Sequence, residues 1–403
     1  MKIDILENGI RCVGQYVDSN VVHFGFFVGS GSRNDFIQFS GLAHLVEHML
    51  FKGTVSRTAL QIVEVIEGCG GEINAYTSKE DTFIYVVVPK DFLFDAIDVL
   101  VDLLQNSLFE DSELVKEKEV VLDEISFYQD SPSELIFDEF DEYFFSSSNL
   151  CSSVLGRPKL VKKITRDDVC AHVARNYTAD NLVFSFVGST SFDAVLERLN
   201  KSFKSITLTS QKNVNPKPIV STFNKKVNKK TSQAHVLLGS EAYSLFDEKK
   251  TTMHILNTII GGGSFNSLLN LKLREENGLT YNVDSSFSSF TDVGMFNIYF
   301  GVDKSKISNC LDIIYSIFKS INNGYVNEEV LQKFKTQIIG SLSISLDNKN
   351  SQMMRNAKNL YYHNKFEPFE TLYKKINSVS VSDILLVAHE VLDIDKFSQL
   401  IYE

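Results

Sequence analysis

Cysteine is scarce in this sequence, and its five residues are scattered with no CxxC pair among them. An odd number of cysteines without metal-ligand spacing argues against a disulfide framework and against a thiolate zinc site. The thiols are therefore expected to be reduced, as they are in a cytosol-like compartment.

Long hydrophobic runs are also missing, and none approaches the roughly 18 apolar residues that span a bilayer. The opening residues, MKIDILENGIRCVGQYV, alternate like a strand, which predicts neither a secretory signal nor a transit peptide. We therefore expect no membrane partner. A presequence that has already been removed stays an open alternative.

Basic residues are fewer than acidic ones, with 40 Lys and Arg against 51 Asp and Glu and a formal net charge of −11. A nucleic acid is a poor partner for such a chain. The hydrophobic content of 43% and charged content of 23% are typical of globular proteins. At 403 residues the chain is too long for one ordinary core, so two or three domains are expected.

The order of predicted elements repeats along the chain. In each half a strand is followed by two helices, two strands, further helices and a closing strand. The second helix of the second half is predicted at 265–277. The stretch between the halves is polar and basic and contains two prolines, as a linker does. We interpret the chain as a duplicated α/β domain, with one domain at 1–208, a linker at 209–222 and a second domain at 223–403.

The most informative motif is H-x-x-E-H in the first half, formed by His44, Glu47 and His48. On a helix, residues four apart lie on one face about 5–6 Å apart, so both imidazoles can face one ion with Glu47 beside them. The alternative is a helix whose histidines are half-buried or exposed and bind nothing.

A catalytic zinc site usually has three protein ligands and keeps a fourth position open. The segment LVKEKEVVLDEIS offers Glu117 and Glu124, which are seven residues apart and so lie on one helix face. Glu124 follows VVL, where a helix packs inward and a carboxylate needs a partner, so it is the favoured third ligand. Glu117 could orient a ligand, whereas Glu119 and Asp123 point elsewhere and are expected to be solvated.

The second half serves as an internal comparison. Aligned on the first half, it places His254 and Thr258 opposite the two histidines, and Gly340 opposite Glu124. Only the first half therefore retains a possible set of metal ligands.

These motifs resemble those of a known family. In their order, GSGSRND…GLAHLVEHMLFKGT, GGEINAYTSKEDT and EKEVVLDE are similar to the pitrilysin-type (M16, inverzincin) zinc peptidases, above all to short bacterial members related to the mitochondrial processing peptidase. The resemblance implies that His44, His48 and Glu124 bind one Zn2+ per chain, with Glu47 as the catalytic base and Glu117 as a supporting carboxylate. It also implies an α+β (α/β-layered) fold of two similar domains, each a mostly antiparallel sheet flanked by helices.

Candidate substrate contacts lie in both halves. GGGSFNSLLNLKLREENGLTYNV resembles the family's glycine-rich stretch, which implies that Arg274 and Tyr281 contact the substrate carbonyl from the non-metal domain. The alternative is that Arg274 pairs with a neighbouring glutamate and that Tyr281 is a core residue of a strand. In the first half, EINAYTS is predicted to be a sheet edge that adds the substrate as an extra strand, with Asn74, Ala75 and Thr77 as candidate contacts. The alternative for these three is an ordinary role in the sheet.

The function that the resemblance implies is zinc-dependent endopeptidase activity on extended peptides or unfolded, presequence-like segments. A homodimer is expected, because two such domains resemble half of the family's four-domain chamber. The bacterial cytoplasm is favoured over the mitochondrial matrix because no presequence is visible. Two other classes remain open. One is a non-catalytic partner subunit of the same fold, and the other is a metal-binding protein that performs no hydrolysis and has no need of Glu47.

Overall fold

The structure, a computed structural model, describes residues 1–203 and 217–403. The strands in these ranges are β1 Lys2–Ile5, β2 Arg11–Tyr16, β3 Val21–Val28, β4 Glu72–Thr77, β5 Thr82–Pro89, β6 Leu182–Gly188, β7 Asn224–Val227, β8 Ala234–Ala242, β9 Thr280–Ser289, β10 Gly294–Val302 and β11 Ser398–Tyr402. The α-helices are α1 Leu42–Leu50, α2 Ala59–Glu67, α3 Leu93–Asn106, α4 Asp111–Gln129, α5 Pro132–Phe144, α6 Pro158–Val161, α7 Arg166–Asn176, α8 Phe192–Ser202, α9 Lys250–Ile260, α10 Ile307–Asn322, α11 Glu328–Ser345, α12 Lys349–His363, α13 Phe369–Ser378 and α14 Val381–Val391. Across the described part of the chain, every helix is too short or too polar to cross a bilayer.

The described residues form two compact units, and each unit takes a helical segment from the opposite half of the sequence. The first unit contains residues 1–126, 152–203 and 344–367, and the second contains the remaining described residues. The two units therefore do not coincide with the two halves of the sequence. Helix α5, from the first half, belongs to the second unit, and α12, from the second half, belongs to the first. Residues 209–216 of the predicted linker lie outside the described residues, so the boundaries at 208 and 223 stay a prediction.

The first unit is built on a six-stranded sheet in the order β1-β2-β6-β3-β5-β4. Neighbouring strands are antiparallel except for β2 and β6, which are parallel. Side chains of β3 alternate between the two faces. Phe24 and Phe26 pack in the core with α1 and α3, whereas Phe27 packs on the opposite face with Met353 and Leu360 of α12. Strand β4 forms one edge of the sheet and contacts α1.

The second unit has a five-stranded sheet in the order β7-β11-β8-β10-β9, in which only β7 and β11 are parallel. Helices α9, α10 and α14 pack on one face. Helix α5 packs on the other face, where Phe140 and Phe144 lie against Leu237 and Tyr299. The predicted fold of two mostly antiparallel sheets flanked by helices is therefore confirmed.

Some elements are not evident from the sequence pattern. Helix α12 is polar, and only Met353, Asn356, Ala357 and Leu360 are buried along it, so its apolar stripe is too narrow to stand out. Strand β7 lies near the end of the basic stretch between the two halves, and its side chains are mostly exposed. The helix predicted at 265–277 is instead a π-helical segment at Asn270–Glu275.

Candidate metal centre

Helix α1 carries the H-x-x-E-H motif with one face buried and the other directed away from the core. Leu45, Val46, Met49 and Leu50 pack in the core, which fixes the rotation of the helix. His44 and His48 therefore lie together on the opposite side, with ring centroids 4.7 Å apart.

The N-terminus of α1 is held by a buried carboxylate. Asp35 Oδ2 accepts hydrogen bonds from the backbone N–H groups of Gly41 (2.9 Å) and Leu42 (3.0 Å), and Oδ1 accepts one from Ala43 (2.9 Å). These are N–H groups that a helix leaves without intrahelical partners. Gly41 has φ +94°, and a Cβ there would come 2.6 Å from the Leu155 carbonyl oxygen, so only glycine fits at this turn. The start of the motif helix is thus fixed by residues outside the motif.

Helix α4 brings two carboxylates to the histidines. Leu114, Val121 and Ile125 form its buried stripe, and Glu117 lies in the same stripe at 5% exposure. Glu124 is half-buried beside Ile125. The apolar stripe that anchors α4 therefore also directs both glutamates toward α1.

The three predicted ligands lie around one point in space. The Nε2 atoms of His44 and His48 are 3.7 Å and 3.9 Å from Oε2 of Glu124, and all three atoms lie within 4.8 Å of one another. Ligand atoms at about 2.1 Å from a tetrahedral zinc ion are about 3.4 Å from each other, so a small inward shift is enough to coordinate the ion. Among the described residues, this is the one group of three or more His, Cys, Asp and Glu side chains with such spacing.

The protonation of His44 suits a metal ligand. Burial, together with the smaller effect of the neighbouring His48, lowers the pKa of His44 to about 4. A histidine binds metal as the neutral imidazole, so His44 needs no deprotonation at neutral pH.

His48 is oriented by the buried carboxylate of Glu117, which also pairs with the half-buried Lys52. Its Nδ1–H donates to Oε2 of Glu117 at 3.1 Å, since a carboxylate can only accept, and this tautomer leaves Nε2 free for an ion. Lys52 Nζ lies 2.7 Å from Oε1 of Glu117 and compensates the buried charge. His44 differs, because its Nδ1 is buried without a hydrogen-bond partner in the described part of the structure.

Substitution of Glu117 by Gln is expected to weaken zinc binding by about 10- to 100-fold, because outer partners of metal ligands typically contribute that much. A neutral amide is a weaker acceptor for His48 and leaves Lys52 without a counter-charge. The measurement is a competition titration against a chromophoric chelator. Glu113→Gln is the matched control, since Glu113 lies one turn before Glu117 on the same helix and pairs with Lys116 at 2.6 Å. Equal affinity in the two variants would contradict the assignment of Glu117.

Glu47 does not take part in the three-ligand group. Thr77 of β4 donates a hydrogen bond from Oγ1 to Oε2 of Glu47. Burial raises the pKa of Glu47, while the hydrogen bond from Thr77 and the proximity of His48 act in the opposite direction. The carboxylate is therefore held beside the histidines by the edge strand.

The other two candidates on β4 lie along its open edge. Asn74 is exposed, and its side-chain Oδ1 accepts a hydrogen bond from the backbone N–H of Ala75 at 2.8 Å. That N–H therefore points away from β5, and in an antiparallel strand the carbonyl of the same residue points the same way. Ala75 thus offers one donor and one acceptor at the free edge.

Arg274 and Tyr281 lie close together in the second unit through two backbone irregularities. Arg274 is in the π-helical segment Asn270–Glu275, where Glu276 N donates to Leu271 O. Its guanidinium lies 5.4 Å from the ring centroid of Tyr281 and 5.2 Å from that of Phe265. It also lies 3.7 Å from the carboxylate of its neighbour Glu275, as the alternative interpretation allowed.

Tyr281 is exposed because of a β-bulge. Gly301 pairs with Asn282 and Val302 with Thr280, which leaves Tyr281 without a cross-strand partner. Its side chain is 89% exposed, so it is no core residue. Bulges and π-helical turns both occur frequently at functional sites.

Comparison with known proteins identifies the family. Residues 15–157 match the model of "Insulinase (Peptidase family M16)", and residues 163–338 match "Peptidase M16 inactive domain". The Bacillus subtilis protein named "Uncharacterized zinc protease YmxG" is 31% identical over 96% of this chain and 95% of its own length. An uncharacterized zinc protease of Rickettsia felis is 31% identical over 96% and 94% of the two chains. The chain belongs to peptidase family M16.

Solved structures support the same architecture. A protease from Helicobacter pylori aligns with a TM-score of 0.92 at 20% identity and covers 100% of this chain and 99% of its own. A Pseudomonas fluorescens structure titled as a peptidase M16 inactive domain aligns with a TM-score of 0.88 at 19% identity, covering 100% of this chain and 97% of its own. Both likenesses concern the fold.

In the second half of this M16 chain, the residues aligned with the predicted metal ligands have other roles. His254 packs on Phe287 with ring centroids 4.8 Å apart, and burial lowers its pKa to about 4. Thr258 Oγ1 donates to the backbone carbonyl of His254, and Gly340 offers no ligand. The comparison drawn from the sequence therefore agrees with the local structure.

The sequence alone did not indicate Lys52 and Asp35 as members of the site. It predicted that Thr77 contacts the substrate, whereas in the structure Thr77 contacts Glu47. Lys52 lies four residues after His48, a spacing that could have drawn attention to it. Asp35 gave no local signal, because its partners are backbone N–H groups at the start of α1. The bond between Thr77 and Glu47 joins a strand to a helix, and no sequence spacing encodes it.

Proposed function

We propose that this chain is a zinc-dependent endopeptidase that hydrolyses extended peptides or unfolded, presequence-like segments. The observation that carries the proposal is the group formed by His44, His48 and Glu124 with the separate carboxylate of Glu47 beside it. A protein that only stores or binds metal has no need of that fourth group. The relatives named above as zinc proteases support the same assignment.

The proposed mechanism assigns one task to each residue. When bound, zinc supplies Lewis acidity, which polarises a peptide carbonyl and makes water acidic near neutral pH. His44, His48 and Glu124 would hold the ion. Glu47 takes a proton from the attacking water and passes it to the leaving amine.

The proposed substrate contacts require an extended chain. The N–H and carbonyl of Ala75, which point away from β5, can pair with a peptide that adds to β4 as a further strand. The carboxamide of Asn74 occupies that N–H in the absence of substrate, so it must turn aside, where it can bind the peptide itself. Arg274 and Tyr281 are proposed to hydrogen-bond a substrate carbonyl, on which negative charge develops during attack.

Tyr281→Phe is expected to lower kcat about tenfold, because it removes one hydrogen bond that strengthens in the transition state. KM should change little. The measurement is steady-state cleavage of a fluorogenic peptide. Tyr325→Phe is the control, since Tyr325 is also exposed in the same unit but is far from the bulge in sequence. Unchanged kcat in Tyr281→Phe would remove Tyr281 from the mechanism.

The experiment that tests the proposed function uses a set of unstructured peptides. The protein is incubated with them after treatment with a chelator, and again after zinc is restored, and the products are read by mass spectrometry. Internal cuts that disappear with the chelator and return with zinc are expected. Zinc binding without any cut would favour the non-catalytic partner subunit.

We further propose that the chain works as a homodimer in the bacterial cytoplasm. The support is the family resemblance, in which two such domains form half of a chamber, and the bacterial origin of the relatives named above. Sedimentation velocity at several concentrations tests the dimer, and fractionation of the source cells tests the location. A monomer at all concentrations would exclude the first proposal.

A further inference from the structure

Thr77 touches the proposed catalytic base directly. It is the last residue of β4, and its hydroxyl donates to Oε2 of Glu47. The sequence suggests that Thr77 contacts the substrate, but its hydroxyl is already engaged by a side chain of the protein.

The protons of the neighbouring hydroxyls can be assigned. Thr82 lies opposite Thr77 in the sheet, and its Oγ1 donates to the carbonyl of Ser30 at 2.9 Å. The two threonine hydroxyls are 3.4 Å apart, which is longer than an ordinary O–H···O bond of about 2.7–2.8 Å. The proton of Thr77 is therefore free for Glu47.

One loop fixes both partners of this bond. The backbone N–H groups of Ser32 and Arg33 donate to the carbonyls of Ser78 and Lys79, at 3.0 Å and 2.7 Å, in the turn that follows Thr77. A few residues later, Asp35 binds the first N–H groups of the helix that carries Glu47. The same short segment thus sets the position of the strand end and of the helix start.

We infer that Thr77 is a positioning residue for the general base. Its hydrogen bond fixes one oxygen of Glu47 and the rotamer of the side chain, and it leaves Oε1 to receive the proton from water. A base that is already held in one orientation loses less conformational entropy on reaching the transition state than a base that samples several orientations. This inference rests on the proposed peptidase function.

Thr77→Val tests it, because valine keeps the shape of threonine and removes the donor. We expect kcat to fall by about 10- to 100-fold, the value of a hydrogen bond to a charged group, with KM and zinc content as in the wild type. Thr77→Ser restores the hydroxyl and should recover most of kcat. Thermal unfolding and zinc titration are measured on each variant, and if the valine variant does not fold, Thr77→Ala and Thr77→Ser provide the same comparison.

Thr54→Val is the matched control, since Thr54 also donates to a carboxylate, Asp102, at 2.6 Å, in the same unit but without contact to Glu47. It should lose stability and keep kcat. Full kcat in the Thr77→Val variant, or no recovery in Thr77→Ser, would overturn the inference. A rise in KM at constant kcat would also overturn it, and would assign Thr77 to the substrate instead. If the wild type itself cuts no peptide, it is the proposed function that fails.

Discussion

Replacing Glu47 with Gln is expected to lower kcat for peptide hydrolysis by about 10²- to 10⁴-fold, the range that a positioned acid–base group contributes. The amide has nearly the same shape and can still accept the hydrogen bond from Thr77, but it cannot take a proton from water. Because Glu47 lies outside the three-ligand group, zinc affinity should stay close to that of the wild type. The measurement is kcat on a fluorogenic peptide together with zinc content.

The control for this substitution is Glu119→Gln, which makes the same chemical change at an exposed position of α4. It should leave both kcat and zinc content unchanged. Peptide cleavage that survives in Glu47→Gln would end the proposed mechanism. Loss of zinc in that variant would show that Glu47 is a ligand.

Replacing Glu124 with Ala is expected to weaken zinc binding by more than the roughly 10- to 100-fold that outer partners of ligands contribute, and to abolish peptide hydrolysis. It removes the one anionic group among the three candidate ligands and leaves two imidazoles, which form an incomplete site. The zinc dissociation constant is measured by competition with a chelator of known affinity. Activity is followed as excess zinc is added.

Asp123→Ala is the control, because Asp123 precedes Glu124 on α4 and is exposed. It changes the local charge by the same amount without touching the histidines. If Glu124→Ala binds zinc as tightly as the wild type, the third ligand is a different residue. A matching loss in Asp123→Ala would mean that the local negative charge matters and coordination by Glu124 does not.

The local part of the site could be read from the sequence because helix geometry alone determines it. The spacing of His44 and His48 places both imidazoles on one face of any α-helix, and the apolar residues around them indicate which face is buried. The spacing of Glu117 and Glu124 works in the same way on α4. The alternation of polar and apolar residues along β4 and β5 predicts the strand pair that carries Asn74 and Thr77.

The longer-range contacts could not be read in that way. The sequence offers Glu117 as an orienting group, but only the packing of α4 on α1 brings it within 3.1 Å of His48 and next to Lys52. Tyr281 fits a strand pattern, and the bulge that turns it outward depends on its pairing with β10. The sequence pattern of α5 and α12 also does not show on which sheet each helix packs. Each of them buries its apolar face on a sheet formed mainly by the other half of the sequence.

By itself the sequence determined the type of chemistry, because imidazoles and carboxylates at fixed helical spacing favour a divalent cation, and the ordered motifs define the family. Tertiary structure alone decided which carboxylate meets the two histidines, which lysine compensates the buried charge of Glu117, and which hydroxyl holds Glu47. The reason is physical. Neighbours within one helix are fixed by its pitch, whereas distances between elements follow from how the apolar faces of α1, α4 and β4 pack together.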